Sequence, residues 1–315
     1  MEDSMLIVGA GMAGLLAGNM LRKHKPLIIE AQSSLPNNHS AVLRFRSSVV
    51  GDVLGIPFKK VSMIKAAIPW RNPVADALAY SCKNSGHYRS DRSIIAGLVH
   101  EERHVAPPGL IAQMAEPFKA CSDNPIAFNS PFNGQTDRKA HPCVISTMPM
   151  PRLMEILQYP LRDGIKFSAT AGQNVRAKIP NCDAYVSLMV PDPDLPFSRV
   201  SLTGDELIVE CLGDNADGWS ASEIIDHALV LLGITEDPKE ISSTPSRYAK
   251  INPISESDRR DFLYWATDTH GIFSLGRFAT WRPGLLLDDL VQDVRKIEGW
   301  AARRDRYGAA QSRRG

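Results

Sequence analysis

The first thirty residues constrain the fold more than any other stretch. Met5-Leu-Ile-Val8 is a short continuous apolar run, the pattern of a strand buried on both faces. It runs straight into Gly9-Ala-Gly11-Met12-Ala13-Gly14, and residues 15–21 continue with apolar side chains at helical spacing. Lys23-His-Lys-Pro26 breaks that helix, and Leu27-Ile-Ile-Glu30 reads as a second buried strand ending in a carboxylate. Each glycine has a job in a turn that receives a dinucleotide. Gly9 permits the tight strand-to-helix turn, Gly11 leaves the backbone open to a pyrophosphate, and Gly14 lets the helix sit close to the sheet. The helix N-terminus adds unpaired N–H groups and the positive end of its dipole. Glu30 stands at the spacing at which a carboxylate accepts hydrogen bonds from ribose hydroxyls. A purely structural glycine turn is the alternative, but strand, helix and distal acid are all in place. With an acid at 30 and no arginine beside it, a 2′-phosphate is disfavoured, which leaves NAD or FAD.

Composition narrows the rest. A chain of 315 residues with 43% hydrophobic and 23% charged residues is globular, one large domain or two ordinary ones. Lys and Arg (36) nearly balance Asp and Glu (35), so the bulk field predicts no polyanion partner, although a local basic patch remains able to attract one. The five cysteines, Cys82, Cys121, Cys143, Cys182 and Cys211, are scattered and never at C-x-x-C spacing. Reduced thiols in a cytoplasmic protein are the simplest expectation. No export signal and no apolar run of about 18 residues is visible, so no membrane partner is expected.

Near the other end, Gly271-Ile-Phe-Ser-Leu-Gly276-Arg277 reads as a buried strand and a glycine turn, followed by an aromatic-rich loop through Trp281. Leu285-Leu-Leu-Asp288-Asp289 then opens a helix over residues 290–297, with acids in its first turn. A second strand–glycine–helix unit aims another helix N-terminus at the middle of a long cofactor.

With these blocks in place the chain resembles FAD-dependent oxidoreductases of the amine oxidase and UDP-galactopyranose mutase superfamily. The resemblance rests on the N-terminal glycine block, on Cys143-Val-Ile-Ser-Thr147-Met-Pro149 and on Leu-Gly276-Arg277, about a quarter of the chain in the family order. It implies an α/β fold: a Rossmann-like, glutathione-reductase-type FAD-binding domain with an inserted antiparallel-sheet substrate domain. The expected division is 1–155 for the first part of the FAD domain (with an inserted lobe at about 70–135), 156–265 for the substrate domain, 266–300 for the rest of the FAD domain and 301–315 for a basic tail. The implied cofactor residues are Gly9, Gly11, Met12, Ala13, Gly14 and Glu30 around the ADP half, with Thr147, Pro149, Gly276 and Arg277 further along and Asp288 opening a helix aimed at the flavin. Thr147 and Pro149 read equally as a strand-ending turn. The Gly-Gly usual after the ribose acid is absent. Arg44, in His39-Ser-Ala-Val-Leu-Arg44-Phe-Arg46, is a candidate flavin or phosphate contact, and a solvated edge pair with Arg46 is its alternative.

Between the blocks, residues 165–179, 184–190, 200–202 and 206–212 read as strands of an antiparallel sheet, and residues 73–81, 110–118 and 222–232 as helices. Tyr248 and Lys250 fall where the superfamily has a strand lining the flavin, and with Trp281 they are the candidate catalytic residues. Tyr264 and Trp265 come next, and a core role is the competing reading for these aromatics. His100-Glu101-Glu-Arg-His104 is a literal H-E-x-x-H, but Pro107-Pro108 follow at once and no third ligand is in view. A charged helix end is expected there and no metal.

For function, the resemblance implies oxidation of an amine, with hydride loss from the carbon next to nitrogen. The block 39–46 and Pro196-Phe-Ser-Arg-Val-Ser-Leu look similar to small bacteriophage FAD proteins, some of them lyases of thymine hypermodification. That narrower likeness implies removal of the amino-acid part of N-glycyl thymine in DNA, leaving 5-aminomethyl-deoxyuridine, in the cytoplasm of a host cell. The partner is then modified DNA or a small amine, with a basic patch of Lys83, Arg89, Arg92 and Arg103 against the phosphates, or those charges are merely solubilising. Two alternatives stand beside it: a sugar-nucleotide flavoenzyme similar to UDP-galactopyranose mutase, which needs a pair of arginines, and a non-catalytic flavin-binding protein. Oligomeric state is not legible.

Overall fold

The computed structural model describes residues 5–35, 44–88, 98–119, 125–160 and 165–312, with side chains described up to 302 except at 247 and 248. Two sheets make up the molecule. The first is parallel and five-stranded, in the order β13–β7–β1–β2–β6, with β1 at Met5–Val8, β2 at Leu27–Ile29, β6 at Ile126–Ala127, β7 at Cys143–Ser146 and β13 at Ile272–Ser274. Its strands are the continuous apolar runs seen in the sequence, and helices cover both faces, as a parallel sheet requires. On one face α1 (Met12–Met20), α2 (Val49–Leu54), α4 (Leu110–Lys119) and the long α9 (Leu287–Ser312) share a core that includes Leu15, Leu16, Met114, Phe118, Val291 and Val294. On the other, α6 (Met150–Ile156) and α8 (Glu256–His270) bury Leu153, Phe262 and Ala266 against Leu6, Val144 and Ile272.

The second sheet has eight strands in the order β12–β8–β11–β10–β9–β4–β5–β3. Its members are β3 (Arg44–Phe45), β4 (Lys59–Ala67), β5 (Leu98–Val105), β8 (Ala169–Lys178), β9 (Ala184–Met189), β10 (Phe197–Gly204), β11 (Glu206–Leu212) and β12 (Lys239–Ile251). Pairing is antiparallel except between β4 and β9. Period-two alternation splits its side chains cleanly. Leu188, Val200, Val209 and Val175 stand in one cross-strand row and pack under α7 (Ala221–Leu232). That helix is fixed by a capping box, Ser220 with Glu223, and stopped by Gly233 in the left-handed region. The next row, Ser187, Ser201, Ile208 and Arg176, faces the other way. Beside it stand Met189, Arg199, Glu210 and Asn174, so this second face carries charge.

Several expectations need correction. The second sheet draws β3, β4 and β5 from the N-terminal part assigned to the cofactor domain, and the lobe expected at 70–135 divides between the two sheets. The boundary expected at 265/266 falls inside α8, which packs on the parallel sheet. The helix expected to end at 297 runs to Ser312, so the basic stretch continues α9. His100 to His104 lies on β5, not on a helix end. On a strand His100 and His104 are separated by about 13 Å, too far to share an ion, and no cluster of metal ligands occurs among the described residues. No helix among them is long and apolar enough to cross a membrane.

Candidate active site

β1 leads to β2 on one side and, later in the chain, β7 lies on the other, so the strand order reverses between β1 and β7. In open α/β sheets ligands bind outside the carboxyl ends of the strands at this point. Both sides of that crevice are built from residues the sequence singles out. Gly9 ends β1 with φ +96°, and a Cβ there would lie 2.3 Å from Thr147 Oγ1. Thr147, at the end of β7, donates from both its amide (2.9 Å) and its hydroxyl (2.8 Å) to the Val8 carbonyl. A Cβ on Gly14 would sit 1.9 Å from the Gly9 carbonyl oxygen, so the helix touches the turn directly. Gly276 (φ +103°) brings the C-terminal block against α1, where a Cβ would meet the Ala13 methyl at 3.2 Å.

Gly11 differs from these. It caps α1 with no side-chain hydrogen bond, and a Cβ added to it meets nothing within 4 Å. The first N–H groups of α1 therefore open onto free space. Beside them Glu30 accepts from the Ala10 amide at 2.8 Å and the Gln32 amide at 3.0 Å. A carboxylate offers about four acceptor positions, so these two bonds hold it in place and leave capacity for hydroxyl donors. Donor-rich helix end, empty approach and anchored carboxylate suit the ADP half of a dinucleotide. The Met12 side chain is buried in the α1–α9 core, so what it offers the crevice is its backbone.

The remaining candidates surround this cradle. Pro149 precedes α6, whose first residue Met150 donates to the Phe278 carbonyl and ties the middle block to the last one. The Arg277 guanidinium lies over the Phe278 ring. Asp288 accepts from the amide and hydroxyl of Ser47 at 3.1 and 3.2 Å, and neighbouring Asp289 pairs with Arg46. These contacts strap residues 46–47 to the start of α9. Trp281 is 2% exposed, donates its indole N–H to the Asn252 carbonyl at 2.8 Å and meets Phe167 edge-on. Its ring is packed as a wall, and with Asp288 it lines a groove of about 560 Å³ between the starts of α8 and α9. Tyr264 is 64% exposed on α8, and Trp265 packs with Tyr159 and His270. The Tyr248 side chain, His39, Arg89, Arg92 and Cys121 lie outside the described residues.

Among the described residues no hydrogen bond of Arg44 reaches the glycine cradle, and its guanidinium is not a solvated edge charge. It reaches across the charged face of the second sheet. There Nη1 donates to the Val186 carbonyl (3.0 Å) and Met63 Sδ, and Nη2 donates to Ser201 Oγ (3.1 Å). Burial, then the like charge of Arg199, pulls its pKa down to about 10. Next to it Arg199 and Glu210 form a two-pronged ion pair. Burial alone would raise the Glu210 carboxyl, but the charge and hydrogen bonds of Arg199, with Lys250 and Arg44 behind them, hold it below the usual range. Tyr80 of α3 (Pro73–Ser85) faces the same pair, and burial raises its phenol. Arg199, Glu210 and Tyr80 were not legible as site residues. The one signal was a lone charge inside an apolar run, Leu207-Ile-Val-Glu210-Cys-Leu. Among the described candidate catalytic residues, Lys250 is the one whose charge reaches this cluster. Two members of the expected basic patch are engaged elsewhere: Lys83 donates to the Val190 and Asp192 carbonyls, and Arg103 pairs with Glu101.

The chain matches no protein-family model and no curated protein sequence. Its fold is similar to that of reduced UDP-galactopyranose mutase (TM-score 0.63, 13% identity, covering 95% of this chain and 94% of that one). It is also similar to glycine oxidase from Geobacillus kaustophilus (TM-score 0.53, 16% identity, 93% and 94%) and to an oxidoreductase from Methanosarcina mazei (TM-score 0.55, 11% identity, 94% and 100%). At these identities it is the architecture that is shared: a Rossmann-like α/β layer joined to a curled, mainly antiparallel sheet, over nearly the whole length of each chain.

Proposed function

We propose that this chain is an FAD-dependent oxidoreductase acting on an amine. The observation that carries the reading is the crevice between β1 and β7, with open space before the N–H groups of α1 and Glu30 anchored beside it. Fold likeness to UDP-galactopyranose mutase and glycine oxidase supports FAD over NAD. In this reading Gly9, Gly11, Gly14 and Glu30 hold the ADP half, and Thr147, Gly276 and Arg277 flank the pyrophosphate and ribityl. The bound flavin supplies hydride acceptance from the carbon next to nitrogen. The chain's own part is to hold that C–H bond in place and keep bulk water off it, with Lys250, Tyr248 and Trp281 as the substrate-face candidates. An imine leaves the oxidation step, and water splits it into amine and carbonyl.

The narrower form of the proposal is oxidation of the glycyl Cα–N bond in N-glycyl thymine of DNA, releasing glyoxylate and leaving 5-aminomethyl-deoxyuridine. Its support is the likeness of residues 39–46 and 196–202 to phage flavoproteins. A sugar-nucleotide flavoenzyme is the second reading, favoured by one observation: Arg44 and Arg199 stand together, the arginine pair such a site requires. Anaerobic mixing separates the two. N-glycyl thymidine is expected to bleach the oxidised flavin with one glyoxylate released per flavin reduced. Loss of neither colour nor glycyl group, with turnover of a uridine diphosphate sugar by the reduced protein, would overturn the amine reading.

A further inference from the structure

We infer that the outward face of α3 is a self-association surface, on which a second copy of this chain lays its own α3 antiparallel, with Arg71 against Asp194 of the partner subunit. The pairing is independent of the cofactor reading.

Two observations converge. The first is that α3 is turned inside out. A helix lying on a protein surface ordinarily buries its apolar stripe and exposes its polar one. Here the buried residues are Asp76, Tyr80, Ser81, Asn84 and Ser85. Asp76 accepts from the Trp70 and Arg71 amides, and Tyr80 faces the Arg199–Glu210 pair. Val74 and Leu78 are left 70% and 40% exposed. With Ala75, Ala79 and Cys82 they occupy positions i, i+1, i+4, i+5 and i+8, one continuous uncharged face of about two and a half turns. Leu98, paired with Ala66 on β4, is 64% exposed where that strand leaves the sheet toward α3, and extends the patch. The second observation is charge. A two-fold interface brings a surface against its own copy, so an uncharged centre meets no like charge there. The ends of α3, by contrast, are opposite in sign. Arg71, its guanidinium over the Trp70 ring, stands beside the helix N-terminus. At the other end Lys83 donates to the Val190 and Asp192 carbonyls, which brings the Asp192 and Asp194 carboxylates close to the last turn. The helix dipole runs in the same sense, positive at the Arg71 end. Antiparallel pairing about Leu78 therefore sets unlike ends together and Val74 against Cys82 of the partner subunit. Five helix residues and Leu98 fall short of the roughly 20–30 residues a side of a standard interface, so the dissociation constant is expected to be on the order of 10 μM. Because α3 carries Tyr80 to the charged cluster, the seam lies on the back of a wall of the candidate site.

The test is sedimentation velocity on the purified full chain, from well below to well above that concentration. Wild type is expected to pass from monomer to dimer. Leu78→Glu is expected to stay monomeric, its constant raised about a hundredfold or more, because its dimer would bury two carboxylates against each other. Leu78 meets solvent and glutamate is a good helix former, so thermal unfolding of the dilute variant is expected to match that of dilute wild type. Arg71→Glu is expected to weaken the dimer about tenfold, and Asp194→Arg added to it to restore the association. Val230→Glu, at an exposed apolar position on α7, is the control and is expected to dimerise as wild type does. A wild type that is monomeric throughout overturns the inference. That includes one that floats with phosphatidylcholine–phosphatidylglycerol vesicles while Leu78→Glu does not, which assigns the face to a membrane. A dimer that Leu78→Glu leaves intact, or that the reversed Arg71 and Asp194 charges fail to restore, overturns it as well.

Discussion

Gly11→Val is expected to fold normally and to lose its flavin. Gly11 has φ −73° and ψ −178°, extended backbone that valine adopts freely, and nothing stands within 4 Å of the position its Cβ would take. The cost to the fold is that of a poorer helix cap, about 1 kcal/mol or less. The added methyl groups nevertheless occupy the approach to the first N–H groups of α1, where the pyrophosphate is proposed to lie, and FAD affinity is expected to fall by about a hundredfold or more. Gly14→Val behaves differently. Its Cβ would press on the Gly9 carbonyl, which is backbone and cannot swing away, so the helix must leave the sheet. Destabilisation on the order of 3 kcal/mol is expected together with cofactor loss. Thermal unfolding and the flavin-to-protein absorbance ratio, measured on both variants, read the two effects apart. A Gly11→Val protein that keeps full flavin would show that the cradle is not where the cofactor binds.

Glu210→Gln is expected to be the most damaging substitution on the second sheet. It removes the charge that holds Arg199, leaving its guanidinium to the like charge of Arg44, with Lys250 no longer balanced by Glu210 either. Breaking a buried pair costs about 3–5 kcal/mol, and the partial exposure of Arg199 places this one at the lower end. The double substitution Arg199→Met with Glu210→Leu is expected to recover most of that loss, because it removes both charges. If the double variant is no more stable than the single one, the pair is not acting through its charge. The same pair sets a pH dependence. The Glu210 carboxyl is held below its ordinary value, so its contribution is present above the normal carboxylate range. That contribution is lost as pH falls through the lowered value. Glu210→Gln is therefore expected to flatten the acid side of the stability profile.

What the sequence revealed and what it hid follow from the range of the interactions. The cradle was legible because its parts are local. Gly9, Gly11, Gly14 and Glu30 lie within one strand–helix–strand unit, and their roles follow from backbone geometry alone. Thr147 and Gly276 are far away in the chain, yet each ends a short apolar strand, a pattern readable without a partner. The helix α8 was missed because its apolar residues are sparse, with Phe262 and Ala266 buried among charged neighbours. The strand at His100 was mistaken for a helix end because alternating charge and histidine carry no clear period. The charged cluster was hidden for a deeper reason: Arg44, Tyr80, Arg199, Glu210 and Lys250 come from β3, α3, β10, β11 and β12, and only strand order brings them together. Arg44 was singled out by its place after the first cofactor block, but the hydrogen bonds that hold it come from Met63, Val186 and Ser201, residues of the second sheet that strand pairing alone brings to it.

The central claim is that the β1–β7 crevice grips FAD. The direct measurement is the visible absorption of the purified protein after incubation with excess FAD and removal of free ligand by gel filtration, with a parallel sample given NAD. The account predicts a yellow protein carrying one FAD per chain and no retained NAD. A protein that emerges colourless from FAD, or that keeps NAD instead, would contradict it.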